Sequence, residues 1–209
     1  SKKSNFIKYD LNKNFVASHK TGATAQFGFN EYTAAENLVG WWRFDKDISA
    51  SGDILDKSYR NSNSMIKDDP AQDLPAFSND YPSLNVSPGR GTAQFGPNHV
   101  LRAAADTSSD LSGMTKGTWS AWVNVPAVHS GLLLGKIDNS NDDDEWVFYL
   151  SAGRPRFTLY DKTSPIGTID RMVDQALPQN TWHWIVATWD GSTGTGSTSG
   201  IKIYINGRE

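Results

Sequence analysis

The stretch Thr181-Trp182-His183-Trp184-Ile185-Val186-Ala187-Thr188-Trp189-Asp190-Gly191, with Ile201-Lys202-Ile203-Tyr204-Ile205-Asn206-Gly207 ten residues further on, decides the fold. In the second segment Ile201, Ile203 and Ile205 point one way and Lys202, Tyr204 and Asn206 the other. That is the period of two of a half-buried strand. The first segment is rich in β-branched and aromatic residues and is bounded by turn chemistry. Between them lies Gly191–Gly200, built only from Gly, Ser and Thr, which has nothing to bury and reads as a hairpin loop. Asn206-Gly207 is a strong hairpin signal, because both central positions of the favoured turn need positive φ. The returning strand would follow Glu209, so the natural polypeptide is expected to continue there, its closing strands lying beyond this sequence.

Working outward, the same signature recurs. Strands are expected at Leu38–Asp45, around Ile54-Leu55 and 64–66, and at Thr92–Phe95 and His99–Ala103. Further strands are expected at Thr118–Val125, Gly131–Lys136, Glu145–Ser151, Arg156–Asp161, Trp182–Trp189 and Ile201–Ile205. No segment holds a helical period over three turns. Many short strands separated by Gly, Pro and Asn/Asp turns predict an antiparallel sandwich or barrel. Trp42, Trp119, Trp122, Trp182, Trp184 and Trp189 occupy strand positions and are expected to pack. One pentapeptide, Thr24–Gly28, recurs at Thr92–Gly96; a single match without a period is not a repeat architecture.

Residues 1–36 differ. The first twenty hold five lysines against one aspartate, so the remainder is more acidic than the net charge of −3 suggests. Apolar residues there are sparse, and the stretch reads as an extended arm or tail. Lys2, Lys3, Phe6, Ile7 and Phe15 are its expected anchoring residues, with residues 37–209 forming the sandwich. The slight acidity argues against duplex binding, which draws on many Lys/Arg–phosphate contacts. No apolar run approaches the ~20 residues of a membrane span. With no cysteine there is no disulfide framework, thiol nucleophile or thiolate metal site.

Taken in order, several segments resemble a laminin-G-like, concanavalin A-like domain. They are Leu38-Val39-Gly40-Trp41-Trp42-Arg43-Phe44-Asp45, Thr92–Gly96, Thr118-Trp119-Ser120-Ala121-Trp122-Val123, Trp146-Val147-Phe148-Tyr149-Leu150, Thr181–Gly191 and Ile201–Gly207. The resemblance covers residues 38–209 and implies a jelly-roll of two curved antiparallel sheets. Within that superfamily, pentraxins use an Asp-Asn-Glu triplet before a strand as calcium ligands. Asp143-Asp144-Glu145 before Trp146 is similar, with Asp144 in place of Asn. The match is incomplete, since Val186 stands where pentraxins have a disulfide cysteine.

The acidic loop Asp138-Asn139-Ser140-Asn141-Asp142-Asp143-Asp144-Glu145 is the sharpest chemical feature. Calcium takes six to eight oxygens, and Asp138, Asp142, Asp143 and Asp144 are the expected ligands. An EF-hand reading fails, because Asp143 sits where Gly is required and Tyr149 where the bidentate Glu belongs. A solvated acidic turn and a docking surface for a basic segment are the other two uses. Trp146, Tyr160 and Asn141 are the candidate ligand contacts, with core packing the favoured reading for Trp146. Enzyme chemistry finds little footing. Glutamates occur only at 31, 36, 145 and 209, with no Glu-x-Asp-x-x-Glu glucanase motif, and His19, His99, His129 and His183 are dispersed. His183 reads as a rim or edge residue.

The expected function is therefore a non-enzymatic module that recognises glycan or protein through its loop edge, assisted by calcium, at an extracellular or virion surface. The alternative is a structural component of a larger assembly, such as a virion surface or fibre protein, held by the N-terminal arm. A third reading is a glycoside hydrolase whose carboxylates lie beyond Glu209.

Overall fold

The structure is a computed structural model. It describes residues 7–8, 16–17, 25–26, 38–44, 53–58, 64–67, 71, 73–78, 92–96, 99–103, 114–137, 145–161, 167–192 and 200–209. Its regular structure among these residues is all β, as the period-two patterning requires. The chain divides into two units, Ser1–Ser109 and Asp110–Glu209. The compositional boundary at residues 36 and 37 lies at the edge of the described residues, with residue 37 itself outside them.

The first unit holds short strand pairs. β1 (Ile7–Lys8), β2 (Val16–Ala17) and β3 (Ala25–Gln26) form an antiparallel meander within the stretch read as an arm. Lys2, Lys3, Phe6 and Phe15 lie outside the described residues. β4 (Met65–Lys67) pairs with β7 (Leu101–Ala103), and β5 (Ala76–Ser78) with β6 (Thr92–Gln94). Ile54 makes an isolated bridge to Met65, so the expected short strands near 54 and 65 are both present in reduced form.

The expected strand at Leu38–Asp45 is not one: residues 38–44 join no sheet. Their backbone bonds go elsewhere. The Trp41 N–H donates to Asp56 Oδ1 at 2.9 Å, and the Lys57 N–H donates to the Trp41 carbonyl at 2.8 Å. Phe44, at φ 53°, turns the chain out of the extended region. A buried carboxylate has taken the place of a neighbouring strand.

The second unit is a two-sheet sandwich. One sheet has three strands, order β14-β13-β8, from β8 (Gly117–Asn124), β13 (Trp182–Trp189) and β14 (Ile201–Ile205). The other has four, order β12-β11-β10-β9, from β9 (Gly131–Lys136), β10 (Trp146–Ser151), β11 (Arg154–Asp161) and β12 (Gly167–Met172). All pairings are antiparallel. Trp119 of the three-stranded sheet meets Trp146 and Phe157 of the four-stranded one, at ring-centroid distances of 5.2 and 4.5 Å. Around them close Phe148, Leu150, Ile185, Ala187, Ile201 and Ile203. The sandwich interior is thus aromatic where β8 faces β10 and β11, and aliphatic along β13 and β14.

The two turns confirm one expectation and add another. Asn206 (φ 51°) and Gly207 (φ 81°) form the expected tight turn, after which Ile205 and Arg208 exchange backbone hydrogen bonds. Between β10 and β11 the turn residues are Ala152 (φ 48°) and Gly153 (φ 76°), closed by the Ser151↔Arg154 pair. Alanine carries a Cβ penalty in this region that Asn tolerates better. Ala152→Asn is therefore expected to raise stability by about 0.5–1 kcal/mol, read as an increase in denaturation midpoint.

Trp122 and Trp184 overturn the packing expectation for tryptophan. They are 41 and 42 % exposed. Alternation assigned them to the sheet face opposite Trp119 and Ile185, but alternation does not say whether that face is covered. His183, expected at a rim, is buried on central strand β13. Its Nε2 faces the Pro178 carbonyl at 3.1 Å and its Nδ1 faces Asn206 Nδ2 at 3.3 Å.

Candidate functional site

The outward face of the four-stranded sheet carries the candidate site. Because Phe157 and Leu159 point into the core, Arg156, Thr158 and Tyr160 on β11 point outward. The same alternation on β10 buries Trp146, Phe148 and Leu150 and turns Val147, Tyr149 and Ser151 outward. Between Phe148 and Tyr149 the register against β9 shifts by one residue, so that Phe148 pairs with Leu134 and Tyr149 with Leu132. This bulge lets Leu133 and Leu134 both pack on the core while Leu132 emerges beside Tyr149. Bulges re-aim side chains in this way near functional sites.

Over these strands lies an open concavity of about 440 Å³, lined by Ser130, Leu132, Val147, Tyr149, Ser151 and Tyr160 among others. It is a shallow surface rather than an enclosed cleft, and suits a ligand laid along the sheet. One face of the Tyr149 ring is covered by Arg156, which leaves its other face and its hydroxyl to the surface. The Arg156 guanidinium sits 5.5 Å from its ring centroid and forks onto Asp170 through Nε–Oδ1 at 2.7 Å and Nη2–Oδ2 at 2.8 Å. The Thr158 hydroxyl donates to Asp170 Oδ1 at 2.9 Å. The hydrogen bond with Asp170 raises the Arg156 pKa above its ordinary value, adding to a charge that arginine carries at every physiological pH. Both Asp170 oxygens are taken, which makes this carboxylate an anchor for Arg156.

Tyr160 stands at the other end, beside Glu145. Its N–H donates to the Glu145 carbonyl at 2.9 Å, and the Glu145 N–H donates to the Lys136 carbonyl at 3.0 Å. A Lys136–Glu145 ion pair of 2.8 Å joins the same two residues through their side chains. The Glu145 carboxylate is therefore engaged by Lys136. Asp138, Asn141, Asp142, Asp143 and Asp144 lie outside the described residues. Among the described residues, no cluster of three or more His, Asp or Glu side chains is placed to hold a metal.

Of the candidate ligand contacts, Tyr160 lines the concavity. Trp146 does not: it is 2 % exposed and packed against Trp119, so its side chain belongs to the core. Its place in the β10 alternation faces it inward, the packing reading favoured for it over a ligand contact. Sequence reasoning missed Tyr149, Arg156 and Asp170. The alternating polar positions of Arg154-Pro155-Arg156-Phe157-Thr158-Leu159-Tyr160 carried the signal for the β11 face.

Residues 99–209, more than half of the chain, match the family model of the concanavalin A-like lectin/glucanases superfamily in its laminin G form. The chain belongs to this superfamily. The matched region contains both sheets of the sandwich and every residue of the concavity. No curated protein and no solved structure is significantly similar to the chain. Laminin G-like domains are commonly binding modules and often extracellular, while the wider superfamily also includes glycosidases. No helix among the described residues is long and apolar enough to cross a membrane.

Proposed function

We propose that this chain is a non-enzymatic module that binds glycan through the concavity of its four-stranded sheet, at the edge formed by the acidic loop. The observation that supports the reading is the placement of Tyr149 and Tyr160 on one open surface with the hydroxyl side chains of Ser130 and Ser151. Aromatic faces take up the apolar side of a sugar ring while hydroxyls exchange hydrogen bonds with its rim. Calcium bound by Asp138, Asp142, Asp143 and Asp144 forms part of the proposal, ordering the loop beside Tyr160. An extracellular or virion-surface location fits a glycan ligand.

A glycan array probed with the full chain, with calcium and then with a chelator, tests this. Binding that the chelator abolishes supports both the site and the ion. Binding that survives chelation removes calcium from the proposal, and no binding in either condition overturns it.

A second reading is favoured by the N-terminal stretch, whose described strands pair only with one another and which carries the lysine excess. There the sandwich belongs to a larger assembly held by residues 1–36. Deleting those residues abolishes assembly on this reading; unchanged assembly contradicts it.

A further inference from the structure

The three-stranded sheet has an outward face of a different character. Trp122 and Trp184 are directly opposed across β8 and β13, with ring centroids 6.3 Å apart and planes 22° from parallel. A cross-strand aromatic pair stabilises its sheet by roughly 0.2–1 kcal/mol, and tryptophan is enriched at interfaces because it offers an apolar body with a polar N–H. These two are 41 and 42 % exposed, and neither indole N–H has a hydrogen-bond partner among the described residues. Trp189, by contrast, donates its indole N–H to the Ser192 carbonyl at 3.1 Å.

The chemistry around the pair selects among occupants. In register on the same face lie Ser120 opposite Val186, Thr118 opposite Thr188, and Asn124 opposite Trp182, with Tyr204 on the far side of Val186. Among the described strand residues of this face the cation is Lys202, which forms an exposed ion pair with Glu209 at 3.3 Å. A surface of two indoles, hydroxyls and an amide with its charge internally paired offers nothing to phosphates or to a charged peptide. It matches an uncharged, hydroxyl-rich ligand that stacks on the rings and accepts hydrogen bonds from their N–H groups.

We propose that Trp122 and Trp184 form a second glycan contact, for neutral oligosaccharides, on the sheet opposite the tyrosine concavity. The ligand class rests on the reading of the chain as a glycan-binding module; the location rests on the exposed indole pair alone.

The test titrates the full chain with maltohexaose, cellohexaose, mannohexaose and laminarihexaose, following tryptophan fluorescence and calorimetric heat. At least one sugar is expected to shift the emission. W122A/W184A is expected to weaken that binding at least about tenfold, whereas W122F/W184F, which keeps two stackable rings but lacks the N–H donors, falls between that variant and the parent. Thermal melts confirm that both variants remain folded. The affinity is expected to hold from low salt to about 0.5 M NaCl, because no net charge is engaged. Y149A/Y160A separates the two sites: if only the concavity reading is wrong, that variant is without effect while W122A/W184A still abolishes the response. The inference is overturned if none of the four sugars perturbs the protein, or if W122A/W184A binds like the parent. It is also overturned if sedimentation shows a dimer that the same double substitution dissolves, since a second copy then covers the face.

Discussion

Phe157→Ala is expected to lower the unfolding free energy by about 3–5 kcal/mol. Phe157 is fully buried, lies at the centre of the four-stranded sheet, and touches Trp119 at 4.5 Å and Phe148 at 5.9 Å between ring centroids. The Trp119 contact joins the two sheets, so truncation removes both transfer free energy and the aromatic contact that spans the sandwich. Rigid sheets on either side hold the cavity open, which places the effect in the upper part of the range for core truncations. For a unit of this size the melting temperature falls by more than about 10 °C. Urea denaturation of parent and variant measures it. A change below about 1 kcal/mol would place the core elsewhere.

Asp56→Ala is the second large effect, and it reports on the other unit. Asp56 is 1 % exposed, and its carboxylate accepts from the Trp41 N–H at 2.9 Å, the Ser58 N–H at 2.8 Å and the Ser58 hydroxyl at 2.9 Å. Its own N–H donates to Ser64 Oγ at 3.2 Å. Alanine leaves those donors facing a site that water reaches poorly, and each buried group without a partner costs roughly 1–3 kcal/mol. A total loss of about 3 kcal/mol is expected, with residues 38–44 released from 53–58 and cut early in limited proteolysis. Asp56→Asn keeps one carbonyl oxygen for the two backbone donors, and the Ser58 hydroxyl can rotate to accept from the new amide. It is expected to lose less than half as much. Equal losses in the two variants would show that charge rather than acceptor geometry holds the segment.

These cases show where sequence was readable. The alternation of Thr118–Val125 and Ile201–Ile205 placed Trp119, Ile201 and Ile203 in the core correctly, because period-two burial depends on local geometry alone. The Asn206-Gly207 turn was readable for the same reason: positive φ at both positions restricts residue choice. The Leu38–Asp45 stretch misled because its alternation is satisfied by Asp56 and Lys57, partners at a distance that periodicity does not encode. β12 was missed entirely. Gly167-Thr168-Ile169-Asp170-Arg171-Met172 is a polar edge strand, and edges carry charge to discourage further pairing, which weakens the apolar signal. The candidate site divided in the same way. Tyr160 was found from its place at a loop edge, but its neighbour Leu132 depends on a bulge in β9, and the Arg156–Asp170 fork depends on the β11–β12 register. Trp122 and Trp184 were assigned to packing because a strand's two faces look alike until the opposite layer is known.

The most direct test of the glycan-binding account is the affinity of Y149A/Y160A for a glycan selected on the array, measured by calorimetry beside the parent. The two rings stand on the sheet's outer surface, so the fold is retained and the melting temperature stays near the parent's. The account predicts at least about a tenfold rise in Kd. Unchanged affinity at unchanged stability would contradict the assignment of the concavity as the binding site.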